Sequence, residues 1–329
     1  MVQIVTDSSV LYTEEEAKAA GFDVVPLCVS VGDMDGRDLQ INMEEFYGRI
    51  GKGEIPRSSQ PPIGDVVEVY EKYHDTSPKD RRRHRYSKHP HPGISGTYHG
   101  ALSARDMVEN RDRITVFNSR TLCGPHRYMV EKAQKMKEEG KGIPEILEWL
   151  KSAAEKTESF LIPQDFGFLK RGGRLTPVAA ALGSVLKLKP VMRLTEDGTR
   201  LDKFFVKRTM SAAVSGIMDH MKKKGIDGRY LLYIVHAAAP KEAGAIREMI
   251  EADDGPKPCI RGPGRPRVRG HPVYRTIGIK RTGTFRGMRL PGSVPVFFGF
   301  LAKGRGLAPT AFYSATVTEV MCGFTPSYQ

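Results

Sequence analysis

The 329-residue chain is poor in the features that build disulfide frameworks and membrane spans. It contains four cysteines, and no two of them have the C-x-x-C spacing of a metal or redox motif: Cys28, Cys123, Cys259 and Cys322. We therefore expect free thiols in a reducing compartment. The longest late apolar run, residues 296–302, is far too short to cross a bilayer, and no basic region followed by an apolar run opens the chain. These absences predict a soluble, cytoplasmic protein without a transmembrane segment.

Catalytic and metal-binding patterns are also missing. The sequence has no Ser-His-Asp order, no Walker loop and no evident pair of catalytic carboxylates. His84, His89 and His91 lie close together, but no acidic or cysteine ligands accompany them, so the composition of this group does not favour a metal site. We expect neither a metal nor a cofactor.

What the chain does have is a net charge of +13, and this charge is concentrated in two segments. Residues 76–92 carry six Lys or Arg against one Asp, and residues 257–329 carry twelve against one Glu, which leaves the rest of the chain at −3. Such basic segments are one signature of nucleic-acid binding, and Gly264-Arg265-Pro266 resembles a minor-groove hook. Nucleic-acid binding through these segments is one alternative function, although no specific nucleic-acid motif supports it.

The same two segments interrupt the pattern of the chain around them. The run from Arg81 to Arg85 cannot form a buried parallel strand, and residues 261–270 are a mixture of Arg, Gly and Pro. We interpret both stretches as sequence read in a shifted frame, caused by a gene lesion or a sequencing error. Intact resequencing reads without compensating insertions or deletions would contradict this interpretation.

Elsewhere the chain alternates between strand and helix patterns, and its length and 40% hydrophobic content suit two domains. We predict an α/β protein with a mainly parallel sheet in an N-terminal domain, residues 1–157, and a C-terminal α/β domain, residues 158–329. The predicted strands are 2–5, 22–31, 114–117, 159–162, 191–194, 204–206 and 230–236. The predicted helices are 14–20, 42–51, 63–73, 98–110, 124–139, 143–157, 177–188, 209–224 and 240–251.

The most informative block is residues 165–195, in which Gly172-Gly173 lies between Arg171 and Arg174. A helix opening at Pro177 and rich in small residues follows, and Lys189-Pro190 ends it. Three further motifs stand in order upstream and one stands downstream: 4–9 (IVTDSS), 56–61 (PRSSQP), 93–98 (GISGTY) and 206–209 (VKRT). This ordered set resembles the DegV family of bacterial fatty-acid-binding proteins. The resemblance implies a two-domain DegV-like fold with a Rossmann-like, parallel-sheet N-terminal domain.

The resemblance also implies a function and a site. A long-chain fatty acid would lie in a buried pocket between the domains, and the protein would be a non-catalytic subunit that presents the carboxylate to a fatty acid kinase. Burying about fifteen methylenes at ~0.8 kcal/mol each gives on the order of 12 kcal/mol of gross driving force, whereas the carboxylate needs donors. Carried onto this sequence, the family's carboxylate-binding groups are Ser58, Ser59, Ser95, Gly96 and Arg208.

Two departures from the family keep another alternative open. Ser58 stands where the family has threonine, which keeps the hydroxyl. The family's histidine motif near the C-terminus cannot be read, because Gly270 and Pro272 around His271 do not reproduce it. A disrupted member of the family that binds no ligand therefore remains a third interpretation, beside fatty-acid binding and nucleic-acid binding.

Overall fold

The computed structural model describes residues 2–73, 95–163, 166–181, 188–227, 230–236, 239–253, 259–260 and 296–302. The N-terminal part opens with strand β1 (Val5–Asp7), helix α1 (Glu14–Ala19) and strand β2 (Asp23–Val25). β1 and β2 pair in parallel, which is the strand direction that the sequence predicts for this part. A capping box starts α1: Thr13 Oγ1 accepts from Glu16 N at 3.1 Å, and Glu16 Oε2 accepts from Thr13 N at 2.8 Å.

A second, antiparallel sheet follows directly, and the sequence did not predict it. Its strands are β3 (Cys28–Val31), β4 (Met34–Arg37) and β5 (Pro56–Ser59), in the order β4-β3-β5. The single strand predicted over 22–31 is therefore wrong. Pro26 has no N–H to donate to a ladder, and on either side of it the chain pairs with different partners. Helix α2 (Met43–Gly51) connects β4 to β5, and α3 (Ile63–Lys72) follows β5.

Three further helices complete the N-terminal part: α4 (Thr97–Met107), α5 (Cys123–Glu138) and α6 (Ile143–Glu155). All three match predicted helices to within a few residues at each end. The strand predicted over 114–117 does not form, which corrects the prediction. A strand needs a neighbour for its backbone N–H and C=O groups, and within the described residues β1 pairs only with β2.

The C-terminal part is built on one six-stranded mixed sheet in the order β10-β9-β11-β6-β7-β8. Its strands are β6 (Glu158–Ile162), β7 (Lys189–Leu194), β8 (Leu201–Lys207), β9 (Tyr230–His236), β10 (Cys259–Ile260) and β11 (Val296–Ala302). Its helices are α7 (Phe166–Arg171), α8 (Pro177–Ala180), α9 (Met210–Lys223) and α10 (Pro240–Glu251). β11 lies between β9 and β6 and is antiparallel to both. The apolar run at 296–302 is thus a central strand.

The mixed α/β class that the sequence predicts is confirmed, with strands and helices throughout both parts and a parallel pair at the N-terminus. Two of the three sheets lie before the predicted boundary at residues 157 and 158, and the third lies after it. One buried cluster nevertheless joins the two parts. In it Leu11 and Cys123 pack with Leu161, Leu231 and Tyr233. The division into two domains stays a prediction.

Several sequence interpretations fall outside the described residues. These include the basic segment 76–92, the residues 261–295 and 303–329 of the second basic segment, His84, His89 and His91, and the hook-like Gly264-Arg265-Pro266. The shifted-frame interpretation and the nucleic-acid alternative rest on these residues. Among the helices that the structure describes, none has both the length and the apolar character needed to cross a membrane.

Candidate functional site

A cavity of about 540 Å³ lies beside β1, within the ~300–1,000 Å³ range of ligand pockets. It follows the chain from Val2 to Asp7 and continues to Ser9. The extended segment 113–121 lines it as well, including residues 114–117, the third strand predicted for the N-terminal part. The cavity therefore lies along the side of β1 that is not paired with β2.

Most of the interior of the cavity is apolar. α5 contributes Met129, Val130 and Ala133, and α6 contributes a row of aliphatic side chains at helical spacing. Val130 and Ala133 are buried, so this wall presents apolar atoms packed against the rest of the fold. The further aliphatic and aromatic side chains of the lining include Ile4, Val116, Phe117, Ile143, Ile146, Leu147 and Leu150. An alkyl chain would find continuous apolar contact here.

The polar end of the lining contains four of the five residues predicted to bind a carboxylate. Ser58 and Ser59 end β5, while Ser95 and Gly96 precede α4, and all four line the cavity. Ser59 and Ser95 are exposed and Ser58 is half-buried, so these hydroxyls stand at the mouth. Ser95 Oγ accepts from Thr97 N at 3.2 Å and lies 2.7 Å from Thr97 Oγ1, which ties it to the start of α4.

Gln60 holds the two serine segments together. A Cβ built on Gly96 would overlap Gln60 Oε1, and one built on Gly100 would lie 3.0 Å from Gln60 Nε2. These two glycines are one helical turn apart, so together they form the groove in which the Gln60 side chain lies. Gly96 must therefore be glycine, because the Gln60 side chain occupies the space that a Cβ would take.

Arg208 is placed differently from the other four residues. It follows β8, it is exposed, and it does not belong to the described lining of the cavity. Its role stays a prediction. The lining instead contains Arg174, from the double-glycine block, whose Nη1 donates to Gly172 O at 2.6 Å. The sequence analysis noted the double-glycine block but predicted no role for Arg174. The feature that could have indicated one is a cationic side chain directly after two glycines.

A second polar group in the lining was not predicted at all. His126, on α5, lies between two hydroxyls: its Nε2 is 3.0 Å from Thr6 Oγ1 and its Nδ1 is 2.9 Å from Ser9 Oγ. Burial lowers the pKa of His126, and the nearby Asp7 carboxylate only partly opposes this shift. The imidazole is therefore neutral at pH 7. No spacing in the sequence brings residues 6, 9 and 126 together, so only the fold could reveal them.

The cysteines and acidic residues that the structure describes form no metal site. Within those residues no group of three or more His, Cys, Asp or Glu side chains is arranged to hold a metal ion. Cys28 and Cys123 are free thiols; burial raises the pKa of Cys123 well above its ordinary value. Cys28 Sγ accepts from Arg37 Nη1 at 3.0 Å. Both cysteines have packing roles in this geometry.

Comparisons with known proteins identify relatives of this chain. A family model described as uncharacterised proteins of the DegV family matches residues 1–279. Protein DegV of Bacillus subtilis is 31% identical over 260 residues, which are 76% of this chain and 88% of that protein. A DegV domain-containing protein of Halalkalibacterium halodurans is 34% identical over 200 residues, 60% of this chain and 69% of that one.

Solved structures share the fold. A DegV family protein of Thermus thermophilus, described as fatty acid binding, superposes with a TM-score of 0.66 at 23% identity over 90% of this chain and 98% of that one. DegV of Bacillus subtilis, described as a fatty acid binding protein, gives a TM-score of 0.64 at 25% identity over the same shares of the two chains. Since the family model spans most of the sequence, the chain belongs to the DegV family.

Proposed function

We propose that this protein binds one long-chain fatty acid in the cavity beside β1 and presents its carboxylate to a partner kinase. The observation that carries the proposal is that one cavity is lined both by aliphatic side chains and by the serine hydroxyls at its mouth. The fatty acid binding described for the Thermus thermophilus and Bacillus subtilis relatives supports it.

The aliphatic interior would hold the acyl chain. Each buried methylene contributes ~0.8 kcal/mol, so the side chains of α5 and α6 supply the main driving force. An alkyl chain makes no hydrogen bonds, and the side chains of Val130, Ala133 and Ile146 in this wall have no hydrogen-bonding groups.

The carboxylate would bind at the mouth. The hydroxyls of Ser58 and Ser95 can each donate one hydrogen bond, and the backbone N–H of Gly96 lies beside them at the start of α4, where a negative charge is favoured. Arg174 brings a cation to the same lining, and a charge-assisted hydrogen bond is about twice as strong as a neutral one.

Presentation to a kinase is consistent with the exposure of Ser59 and Ser95. A head group held there remains reachable while the chain stays buried. The protein would supply binding and orientation, whereas the separate kinase would supply the ATP chemistry that makes the acyl phosphate.

The first test is mass spectrometry of lipids extracted from the purified full chain. We expect one long-chain fatty acid per chain, and its loss in a Ser58→Ala/Ser95→Ala double variant. Arg174→Ala should also reduce retention, and Arg208→Ala tests the role predicted for Arg208. Arg111→Ala is the matched control, because this exposed side chain does not belong to the described lining and its loss should leave retention unchanged. A folded wild-type protein without fatty acid, or full retention in the double-serine variant, would overturn the proposed site.

A further inference from the structure

Arg120 lines the cavity at the turn that joins the extended segment 113–121 to α5. Its backbone φ of 52° lies in the left-handed region, which residues other than glycine seldom adopt. Asn118 holds this turn, because its Oδ1 accepts a hydrogen bond from Arg120 N at 2.9 Å. The course of the chain at Arg120 is therefore fixed by local contacts within the cavity wall.

The hairpin turn between β7 and β8 packs directly against Arg120. Gly198 and Thr199 of this turn line the same cavity. A Cβ built on Gly198 would lie 2.8 Å from Arg120 Cβ, and Gly198 itself has a φ of 71°, so glycine is needed at this approach. At the start of β8, Leu201 N donates to Arg174 O at 2.9 Å. Arg120 and Arg174 therefore both adjoin this one hairpin in the lining of the cavity.

The two arginines differ in what their side chains already bind. Arg174 Nη1 donates to Gly172 O at 2.6 Å. The Arg120 side chain is half-buried, and among the residues that the structure describes its guanidinium has no hydrogen-bond acceptor and no ion-pair partner. A guanidinium carries five N–H donors in a planar fork, and this fork matches the oxygens of a phosphate. The donors of Arg120 are available to a ligand in the cavity.

The charge of the lining exceeds what one carboxylate neutralises. Apart from histidines, the charged side chains in the described part of the lining are Arg113, Arg120, Arg174 and Asp7, with a net charge of +2. Burial lowers the pKa of His126, so this ring adds no positive charge at pH 7. A fatty acid carboxylate supplies one negative charge, whereas a phosphoryl group carries close to two at neutral pH. The lining therefore suits an acyl phosphate better than a free fatty acid.

We propose that Arg120 binds the phosphoryl group of an acyl phosphate, so that the protein holds the product of the kinase reaction more tightly than the fatty acid. The inference rests on the proposed function, because the acyl chain must first occupy the cavity. It identifies Arg120 as the residue that distinguishes the phosphorylated ligand from the unphosphorylated one.

The test compares two ligands titrated into the delipidated full-length protein. One is stearic acid, and the other is the β-ketophosphonate in which a CH₂ group replaces the ester oxygen of stearoyl phosphate, which prevents hydrolysis. The wild-type protein should bind the phosphonate about tenfold more tightly, as expected for an added charge-assisted hydrogen bond. Arg120→Asn removes the cation and keeps a residue that tolerates positive φ. It should reduce this preference to less than about twofold, while retained stearic acid binding shows that the variant folds.

Arg111→Asn is the matched control, since it removes the same charge from an exposed side chain outside the described lining. It should keep the full preference. If the wild-type protein binds stearic acid but does not prefer the phosphonate, or if Arg120→Asn keeps the preference, the inference is wrong. Equal weakening of both ligands in Arg120→Asn would place Arg120 on the carboxylate instead and also overturn it. If stearic acid does not bind the wild-type protein, the proposed function itself fails and the inference fails with it.

Discussion

The Ser95 hydroxyl at the mouth of the cavity already has structural partners, and this limits the hydrogen bonds that it can offer a ligand. Ser95 Oγ accepts a hydrogen bond from Thr97 N, and it forms a second hydrogen bond with Thr97 Oγ1 in which either hydroxyl can donate. When the Thr97 hydroxyl donates to Ser95, the Ser95 hydrogen is left for a carboxylate. The contact of Ser95 with Thr97 at the start of α4 and the binding of a head group are therefore compatible in one side chain.

Gly96 is the residue at which the mouth is most sensitive to substitution. In Gly96→Ala the new Cβ overlaps Gln60 Oε1, so the Gln60 side chain must leave the position in which it contacts both serine segments. We expect fatty acid affinity to fall about tenfold, equivalent to ~1.4 kcal/mol, as measured by titration.

Gly64→Ala is its matched control, since a Cβ there meets nothing within 4 Å, and it should bind like wild type. Adding Gln60→Ala to Gly96→Ala should recover part of the affinity by making room. Unchanged affinity in Gly96→Ala would show that the Gln60 contact does not position the mouth.

At the scale of elements, the end of α9 is attached to β6 through one carboxylate. Glu158 Oε1 and Oε2 lie 3.0 and 3.1 Å from His220 Nε2, and Lys224 Nζ lies 3.0 Å from Oε2. Burial of Glu158 raises its pKa, but hydrogen bonds and charge from His220 and Lys224 outweigh this, so the pKa is lowered overall. The cluster stabilises the C-terminal sheet against its helix only while Glu158 is ionised.

This cluster predicts a pH-dependent contribution to stability. Because the folded-state pKa of Glu158 is below the unfolded value near 4.3, its stabilisation is present above that value and is lost as pH falls through the folded pKa. In urea unfolding, Glu158→Gln should lower the free energy of unfolding by ~1–3 kcal/mol at neutral pH. The gap to wild type should close at strongly acidic pH, while exposed Glu155→Gln should show little effect. A gap that stays constant with pH would contradict this role.

At the scale of the whole molecule, α5 joins the two parts of the chain. One region of this helix packs against the C-terminal sheet through Cys123 and Gly124, while Met129 and Ala133 form the cavity wall. A Cβ on Gly124 would lie 2.5 Å from Cγ of the buried Tyr233 ring, so only glycine allows the helix to approach β9 this closely. The position of the cavity wall therefore depends on contact with the C-terminal part.

Gly124→Ala should destabilise the protein by ~1–3 kcal/mol, the usual cost of overpacking. Denaturant unfolding measures this, and pairing the change with Tyr233→Ala should recover part of the loss relative to Tyr233→Ala alone. Gly48→Ala, in α2 with nothing within 4 Å of the new Cβ, should instead be neutral or stabilising by up to ~1 kcal/mol. If the two alanine variants behave alike, the approach of α5 to β9 is not tight.

Local patterns predicted the parts of the structure that local forces control. Most of the helices and the strands β6, β7, β8 and β9 follow from periodicity and caps, and β9 and α10 lie where the pattern places them. The errors are at 22–31 and 114–117, where pairing partners decide whether an extended segment becomes a strand, and the strands β4, β5, β10 and β11 and the helix α7 were not predicted. β5 is one of these, because its ladder with β3 depends on residues 25 to 31 positions away in the chain.

By itself, the sequence determined the family, the α/β class and the serine and glycine motifs at the mouth, because each of these is written in contiguous residues. Tertiary structure alone decided that Arg174 lines the cavity whereas Arg208 does not. It also placed His126 between Thr6 and Ser9, more than a hundred residues away in the chain. The physical reason is that a buried site is assembled by the packing of β1 against α5, and no local propensity encodes that contact.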